Sequence, residues 1–235
     1  MIGLRRFSRG MGRGQARRSE SGKTSAQEIV MKVQIQSFAM VLVLSVSVHA
    51  SGGVADENRR EHLRLVREQG FNHTAVGRLD RAYLDALNVL GQQNACSEFF
   101  GGEAAQSVLT ELLISLRATR MDNSRVGIRM SGPFTVFANA ENSPLYRLFA
   151  KAELNTAGPF YRAKVFAAEA FVPGVGSFEP NTREARALIL LHELAHLIQG
   201  KNQTWLIPDD GDSPQLSRLN TTTIESRCGK QIRAL

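Results

Sequence analysis

The stretch REARALILLHELAHLIQG, residues 183–200, decides how the second half of the chain folds. Its leucine, isoleucine and alanine positions cover most faces of a helix, so the pattern predicts a largely buried helix over 183–199. Three ionisable residues stand inside this apolar run: His192, Glu193 and His196. Burying two imidazoles and a carboxylate costs several kcal/mol unless each finds a partner. Each of these three side chains is therefore expected to have a hydrogen-bonding or metal-ion partner in the fold.

A divalent metal ion is one such partner. At about 3.6 residues per turn, His192 and His196 lie one above the other on the same helical face, where two neutral imidazoles can both reach a tetrahedral Zn²⁺. Glu193 is rotated by about 100° from His192, which leaves its carboxylate free to take a proton from an attacking water and pass it to a leaving group. The alternative is a structural helix whose histidines are hydrogen-bonded internally.

Residues 192–196 read HELAH and match the HExxH pattern of the zincin metallopeptidases, which this segment resembles. The resemblance covers this helix alone. It implies a zincin-like active-site helix, with Zn²⁺ as the cofactor and with His192 and His196 as metal ligands. It also implies that Glu193 is the catalytic general base and acid, and that the substrate is a peptide or a protein.

A third metal ligand is expected after the helix, because catalytic zinc sites usually have three protein ligands. The metzincin branch of the family is excluded, since Gln199 and Asn202 stand where its extended pattern has a glycine and a last histidine. We favour Asp210 as the metal ligand, because Gly211 permits a turn that brings a carboxylate back over the helix end. The alternatives are Asp209, Asp212 and Glu225, the last on a short C-terminal helix predicted to start near Asn220. A plain polar turn and a calcium site are the other interpretations of this loop.

Helical and strand patterns are separated in the rest of the chain. Apolar residues recur at helical spacing over 79–90 and 108–116, which predicts two core helices around a turn at 96–102. Between residues 125 and 178, short stretches rich in β-branched and aromatic residues are punctuated by glycine and proline, which predicts a small, mostly antiparallel sheet. The order of helices, strands and helix predicts a single α+β domain over 51–235, with the helices packed on the sheet.

The first fifty residues differ from this domain. Residues 1–30 carry seven basic residues against two acidic ones and little to bury, which predicts an over-extended, disordered N-terminus. Residues 31–50 combine a basic opening, an apolar run and a small-x-small ending, which predicts a signal peptide cleaved after Ala50. A retained anchor is the alternative, but a spanning helix needs about 20 apolar residues. We expect a secreted or periplasmic protein with no stable membrane anchor.

The positive charge of the chain is concentrated in this leader. Removing residues 1–50 takes away eight of the 29 basic residues and two of the 22 acidic residues, which lowers the net charge from +7 to +1. A nearly neutral domain has no electrostatic reason to bind nucleic acid. The sequence therefore predicts no nucleic-acid partner.

Cys96 and Cys228 are the two cysteines of the chain. In an oxidising compartment they are expected to form one disulfide, which on the chain-entropy account stabilises the fold by about 5 kcal/mol. Two free, buried thiols are the alternative.

The sequence thus favours an exported zinc-dependent hydrolase. An extended substrate is expected along a strand edge within 160–172, and Tyr146 or Tyr161 is a candidate donor to the developing oxyanion. The competing interpretation is a non-enzymatic exported module with a structural metal site or no metal. Four protein ligands mark a structural zinc site, whereas a catalytic site keeps one position open.

Overall fold

The structure, a computed structural model of the chain, describes residues 60–61, 63–138, 144–163, 172 and 174–235. All of them belong to one compact unit that spans 49–235. The predicted N-terminal extension at 1–30 and signal peptide at 31–50 lie outside the described residues, and so does most of the predicted substrate edge at 160–172. Within the described part, no helix combines the length and the apolar character that crossing a membrane requires.

Helices precede and follow the strands along the described part of the chain. The elements are α1 at 60–61 and 63–68, α2 His73–Gly91, α3 Ala95–Phe100, α4 Ala104–Ser115, β1 Leu116–Thr119, β2 Ile128–Ala138, β3 Leu145–Asn155, α5 Arg183–Leu197 and α6 Pro214–Arg233. This separation of helices and strands confirms the α+β class.

The three strands form one mixed sheet in the order β1–β3–β2. β2 and β3 pair antiparallel, from Ile128 opposite Leu154 to Ala138 opposite Leu145. β1 pairs in parallel with the end of β3. The sequence pattern assigned Leu116 to a helix, but Leu116 turns extended and its backbone joins the open edge of β3. The antiparallel pairing of β2 with β3 is thus longer than the parallel pairing of β1 with β3. It extends to Tyr146, where β3 pairs with Ile198, the residue after α5.

Helix α5 carries the HELAH segment and contacts both helices and the sheet. It packs against α2, α4, α6, β2 and β3, and eleven of its fifteen residues are buried. Thr182 caps its first turn by accepting a hydrogen bond from the backbone N–H of Ala185. The helix ends at Leu197, two residues earlier than predicted, because Ile198 turns extended and pairs with Tyr146 of β3. The histidine-bearing end of α5 is therefore tied to the sheet.

A disulfide links α3 to α6. Cys96 and Cys228 form this bond, and both residues are fully buried. Cys96 belongs to a helix where the sequence predicted a turn, because Asn94 caps α3 and Gly101 ends it in the left-handed conformation. The pairing confirms the expected bridge and is compatible with an oxidising compartment.

Replacing Cys96 and Cys228 together by alanine should lower the free energy of unfolding by about 2–5 kcal/mol, because the bond restricts the unfolded chain. Urea unfolding of this variant and of the wild type measures the difference, with the exposed Ser226→Ala on α6 as the control. Equal stability, together with two titratable thiols in the unreduced wild type, would contradict the bridge.

Candidate metal centre

Three side chains that the sequence singled out converge at the C-terminal half of α5. His192, His196 and Asp210 each offer one ligand atom, and these atoms all lie within 4.8 Å of one another. The two Nε2 atoms are 3.1 Å apart, and Asp210 Oδ2 lies 3.1 Å from His192 Nε2. Asp210 Oδ1 lies 3.6 Å from His196 Nε2. Ligand atoms at about 2.0–2.1 Å from a tetrahedral ion are themselves about 3.3–3.4 Å apart, so these spacings suit one small cation.

Thr221 of α6 contacts the ring of His192 on the side away from Asp210. The threonine hydroxyl has a single proton, which it donates to the backbone carbonyl of Ser217 over 2.8 Å. With its proton on that carbonyl, the hydroxyl oxygen is placed to accept from a proton on His192 Nδ1, 3.1 Å away. The Nε2 lone pair of His192 is left facing Asp210 and His196, which is the tautomer that a metal ligand needs.

The surroundings of His196 test whether a metal ion fits the cluster. Its Nδ1 is buried and has no hydrogen-bond partner among the described residues, and Oδ1 of Asp209 is 3.8 Å away. On the other side of the ring, its Nε2 meets a second imidazole nitrogen and a carboxylate. Two imidazoles and a carboxylate around one point form a donor set that binds zinc and related ions. The residues present therefore fit a metal ion.

Asp210 is held in place by α6. Asn220 donates from its side-chain amide both to Asp210 Oδ1 and, over 2.8 Å, to the backbone carbonyl of Pro208. Burial alone would raise the pKa of Asp210, but its close contacts with the His192 and His196 rings hold it below its ordinary range. The carboxylate is thus ionised and acts only as an acceptor, as a metal ligand must.

Glu193 lies beside the cluster and is only partly accessible to solvent. Burial raises its pKa to about 7, and the negative charge of Asp210 acts in the same direction. A carboxyl group with a pKa near neutrality both takes and gives up protons at neutral pH. This is the property required of the general base and acid that the HExxH pattern implies.

The other acidic candidates lie apart from the cluster or serve other contacts. Asp209 forms an ion pair with Arg147, and Asp212 is exposed. Glu225 accepts a hydrogen bond from the backbone N–H of Ser177 over 3.0 Å and pairs with Arg233 at 2.9 Å. Asp210 is thus the acidic residue that the structure brings to the two histidines.

The two tyrosines considered as oxyanion donors are engaged elsewhere. Tyr146 donates to Glu111 over 2.9 Å, and burial together with this contact raises its pKa to about 12. Tyr161 donates to the backbone carbonyl of Ala75 over 3.2 Å. Neither hydroxyl is brought to the metal cluster.

Three residues around the cluster were not singled out from the sequence: Arg147, Asn220 and Thr221. Asn220 and Thr221 stand in the polar run NTTT, and only the packing of α6 against α5 brings them to the histidines. A signal did exist for Arg147, since a cation stands in the largely apolar run LYRLF, residues 145–149. In the fold Arg147 donates through Nε to the backbone carbonyl of His196 over 2.9 Å.

Comparisons of this chain with known protein families, with curated proteins and with solved structures find no match. The functional argument therefore depends on the residues of the site themselves.

Proposed function

We propose that this chain is an exported, zinc-dependent hydrolase and that its substrates are peptides or proteins. The observation that supports this most directly is the convergence of His192 Nε2, His196 Nε2 and the Asp210 carboxylate next to Glu193. The three converging residues would hold the ion. When bound, Zn²⁺ supplies Lewis acidity that lowers the pKa of water and polarises a carbonyl group.

Glu193 performs the proton transfers of the proposed reaction. Its carboxylate takes a proton from the attacking water as the water oxygen bonds to the peptide carbonyl carbon. The same proton then passes from Glu193 to the amide nitrogen, the carbon–nitrogen bond breaks, and an amine leaves. A pKa of about 7 lets Glu193 act in both directions near neutral pH.

The composition of the cluster favours catalysis over a structural metal site. Among the described residues, the cluster consists of three side chains, His192, His196 and Asp210. A structural zinc site is closed by four protein ligands, whereas a catalytic one has three and an open position. The disulfide between α3 and α6 is compatible with the proposed location outside the cytoplasm.

Elemental analysis of the purified protein, followed by an assay on a mixed peptide library, tests the proposal. We expect about one zinc ion per chain, and peptide cleavage that a chelator abolishes and added Zn²⁺ restores. Protein that binds zinc but cleaves no peptide would favour the non-enzymatic module. Protein that binds no transition metal would contradict the metal site as well.

Replacing Thr221 by valine should weaken zinc binding by about 10–100-fold, because the variant can no longer fix the Nδ1–H tautomer of His192. Competition with a chromophoric chelator measures the affinity. Thr222→Val is the matched control, since the exposed Thr222 hydroxyl donates within α6 to the carbonyl of Arg218. Equal affinities for the Thr221 variant and the wild type would show that the tautomer is set by something else.

A further inference from the structure

Arg147 of β3 is a buried cation next to the proposed metal centre. Its side chain is 2% exposed, and its guanidinium lies 4.2 Å from the ring centre of Trp205, 4.9 Å from that of Phe149 and 5.1 Å from that of Phe134. These aromatic faces attract the cation but also keep water away from it. A charge buried in this way is costly unless strong acceptors are fixed beside it.

Those acceptors belong to the two segments that carry the metal-binding residues. Arg147 donates through Nε to the backbone carbonyl of His196 over 2.9 Å. Its terminal nitrogens donate to both carboxylate oxygens of Asp209, which precedes Asp210 in the chain. A guanidinium that donates to a carboxylate through two nitrogens fixes its orientation as well as its position. Arg147 therefore joins the end of α5 to the loop that follows it.

Asp209 in turn faces His196 Nδ1, the buried ring nitrogen for which the described part of the chain offers no hydrogen-bond partner. Its Oδ1 lies 3.8 Å from His196 Nδ1. When His196 offers the Nε2 lone pair to a metal ion, its ring proton must be on Nδ1, and that N–H needs an acceptor. Metal-bound histidines commonly donate their other N–H to a carboxylate, which orients the ring and strengthens it as a ligand. Asp209 is the carboxylate in position for this contact.

We propose that Arg147 is a positioning residue of the metal centre. It holds Asp209 as the acceptor for His196 Nδ1 and keeps that carboxylate out of the ligand set, so that the adjacent Asp210 faces the ion. This inference rests on the proposed metal site. It explains how two neighbouring aspartates with the same chemistry take different roles.

A double-mutant cycle on the full chain tests whether Arg147 acts through Asp209. Zinc affinity is measured by chelator competition for the wild type, Arg147→Met, Asp209→Asn and the variant with both changes. We expect each single change to weaken binding by about 10–100-fold and the double variant to bind no more weakly than Arg147→Met alone. Asp212→Asn, which removes an exposed carboxylate from the same loop, is the control for net charge and should bind like the wild type.

Two further readouts separate positioning from a merely structural role. With Co²⁺ in place of zinc, the visible absorption spectrum of Arg147→Met should differ from that of the wild type, because the spectrum reports the ligand set. Arg147→Lys should not restore the affinity, since an ammonium group cannot donate in the planar fork that reaches both Asp209 and the His196 carbonyl. Should Arg147→Met fail to fold, Asp209→Asn still decides, because Asp209 is 55% exposed and its change creates no cavity.

Three results would overturn the inference. One is an Asp209→Asn variant with the zinc affinity of the wild type. Another is a cycle in which the two losses add, and the third is an Arg147→Met variant that loses thermal stability but keeps its affinity and Co²⁺ spectrum. If the wild type itself binds no metal, the proposed function fails together with this inference. Binding by the wild type with any of the three results leaves the proposed function standing.

Discussion

The Glu193→Gln variant is expected to hydrolyse peptides about 10²–10⁴-fold more slowly than the wild type while it retains its zinc. Glutamine has nearly the same size and keeps one oxygen, but it cannot take a proton at neutral pH. The three proposed metal ligands are unchanged: His192 and His196 on one face of α5, and Asp210 on the following loop. The loss is therefore expected in kcat, with little change in the metal content.

Steady-state kinetics on a cleaved library peptide, with elemental analysis of the same samples, measure both quantities. Glu184→Gln is the matched control, since Glu184 lies in the first turn of α5, at the opposite end of the helix from the two histidines. It should retain wild-type activity. Activity of the Glu193 variant equal to that of the wild type would remove Glu193 from the mechanism.

Zinc should raise the melting temperature of the wild type but not that of His192→Ala. An ion that binds only the folded chain, at about 1,000 times its Kd, stabilises it by about 4 kcal/mol. For a domain of this size that corresponds to a rise in Tm of about 8–16 °C. Without His192 the cluster retains one imidazole and one carboxylate, which are too few to hold zinc tightly.

Thermal unfolding of both proteins, with and without Zn²⁺, measures the two shifts, and a chelator should cancel the wild-type shift. His73→Ala serves as the control, because His73 is exposed at the start of α2. A zinc-dependent rise that survives in the His192 variant would place the ion elsewhere in the molecule.

The features that could be predicted from the sequence are those encoded by neighbours in the chain. Helix α5 follows from its continuous apolar pattern, and the shared face of His192 and His196 follows from their spacing of four. The disulfide follows from there being two cysteines in a chain with an export pattern. None of these predictions requires knowledge of which segments contact one another in the fold.

The choice between Asp209 and Asp210 does need that knowledge. The two residues are adjacent and chemically identical, so nothing in the loop itself separates them. In the fold Arg147, from a strand 62 positions earlier, binds Asp209, and Asn220 from α6 binds Asp210. Because Arg147 and Asn220 come from other segments of the chain, the loop sequence does not indicate which aspartate each of them contacts.

Short elements were also difficult to predict, because their apolar patterns are too brief. Residues 96–102 contain a glycine pair that indicates a turn, yet Asn94 and Ser97 together cap a helix just before it. The four residues of β1 continue directly from α4, and their strand character comes from pairing with β3. In each place the structure depends on a residue outside the short apolar pattern: Asn94 for α3, and the paired strand β3 for β1.

The bond between Cys96 and Cys228 encloses every residue assigned a role in the metal centre. His192, Glu193, His196 and Asp210 all lie within this covalent ring, as do Arg147 and Thr221. A single cut by a protease at any peptide bond between the two cysteines therefore leaves the fragments connected through sulfur. On a gel, such nicked protein should migrate as two pieces only after a reductant is added, so a single cut need not separate the residues of the proposed metal centre from one another.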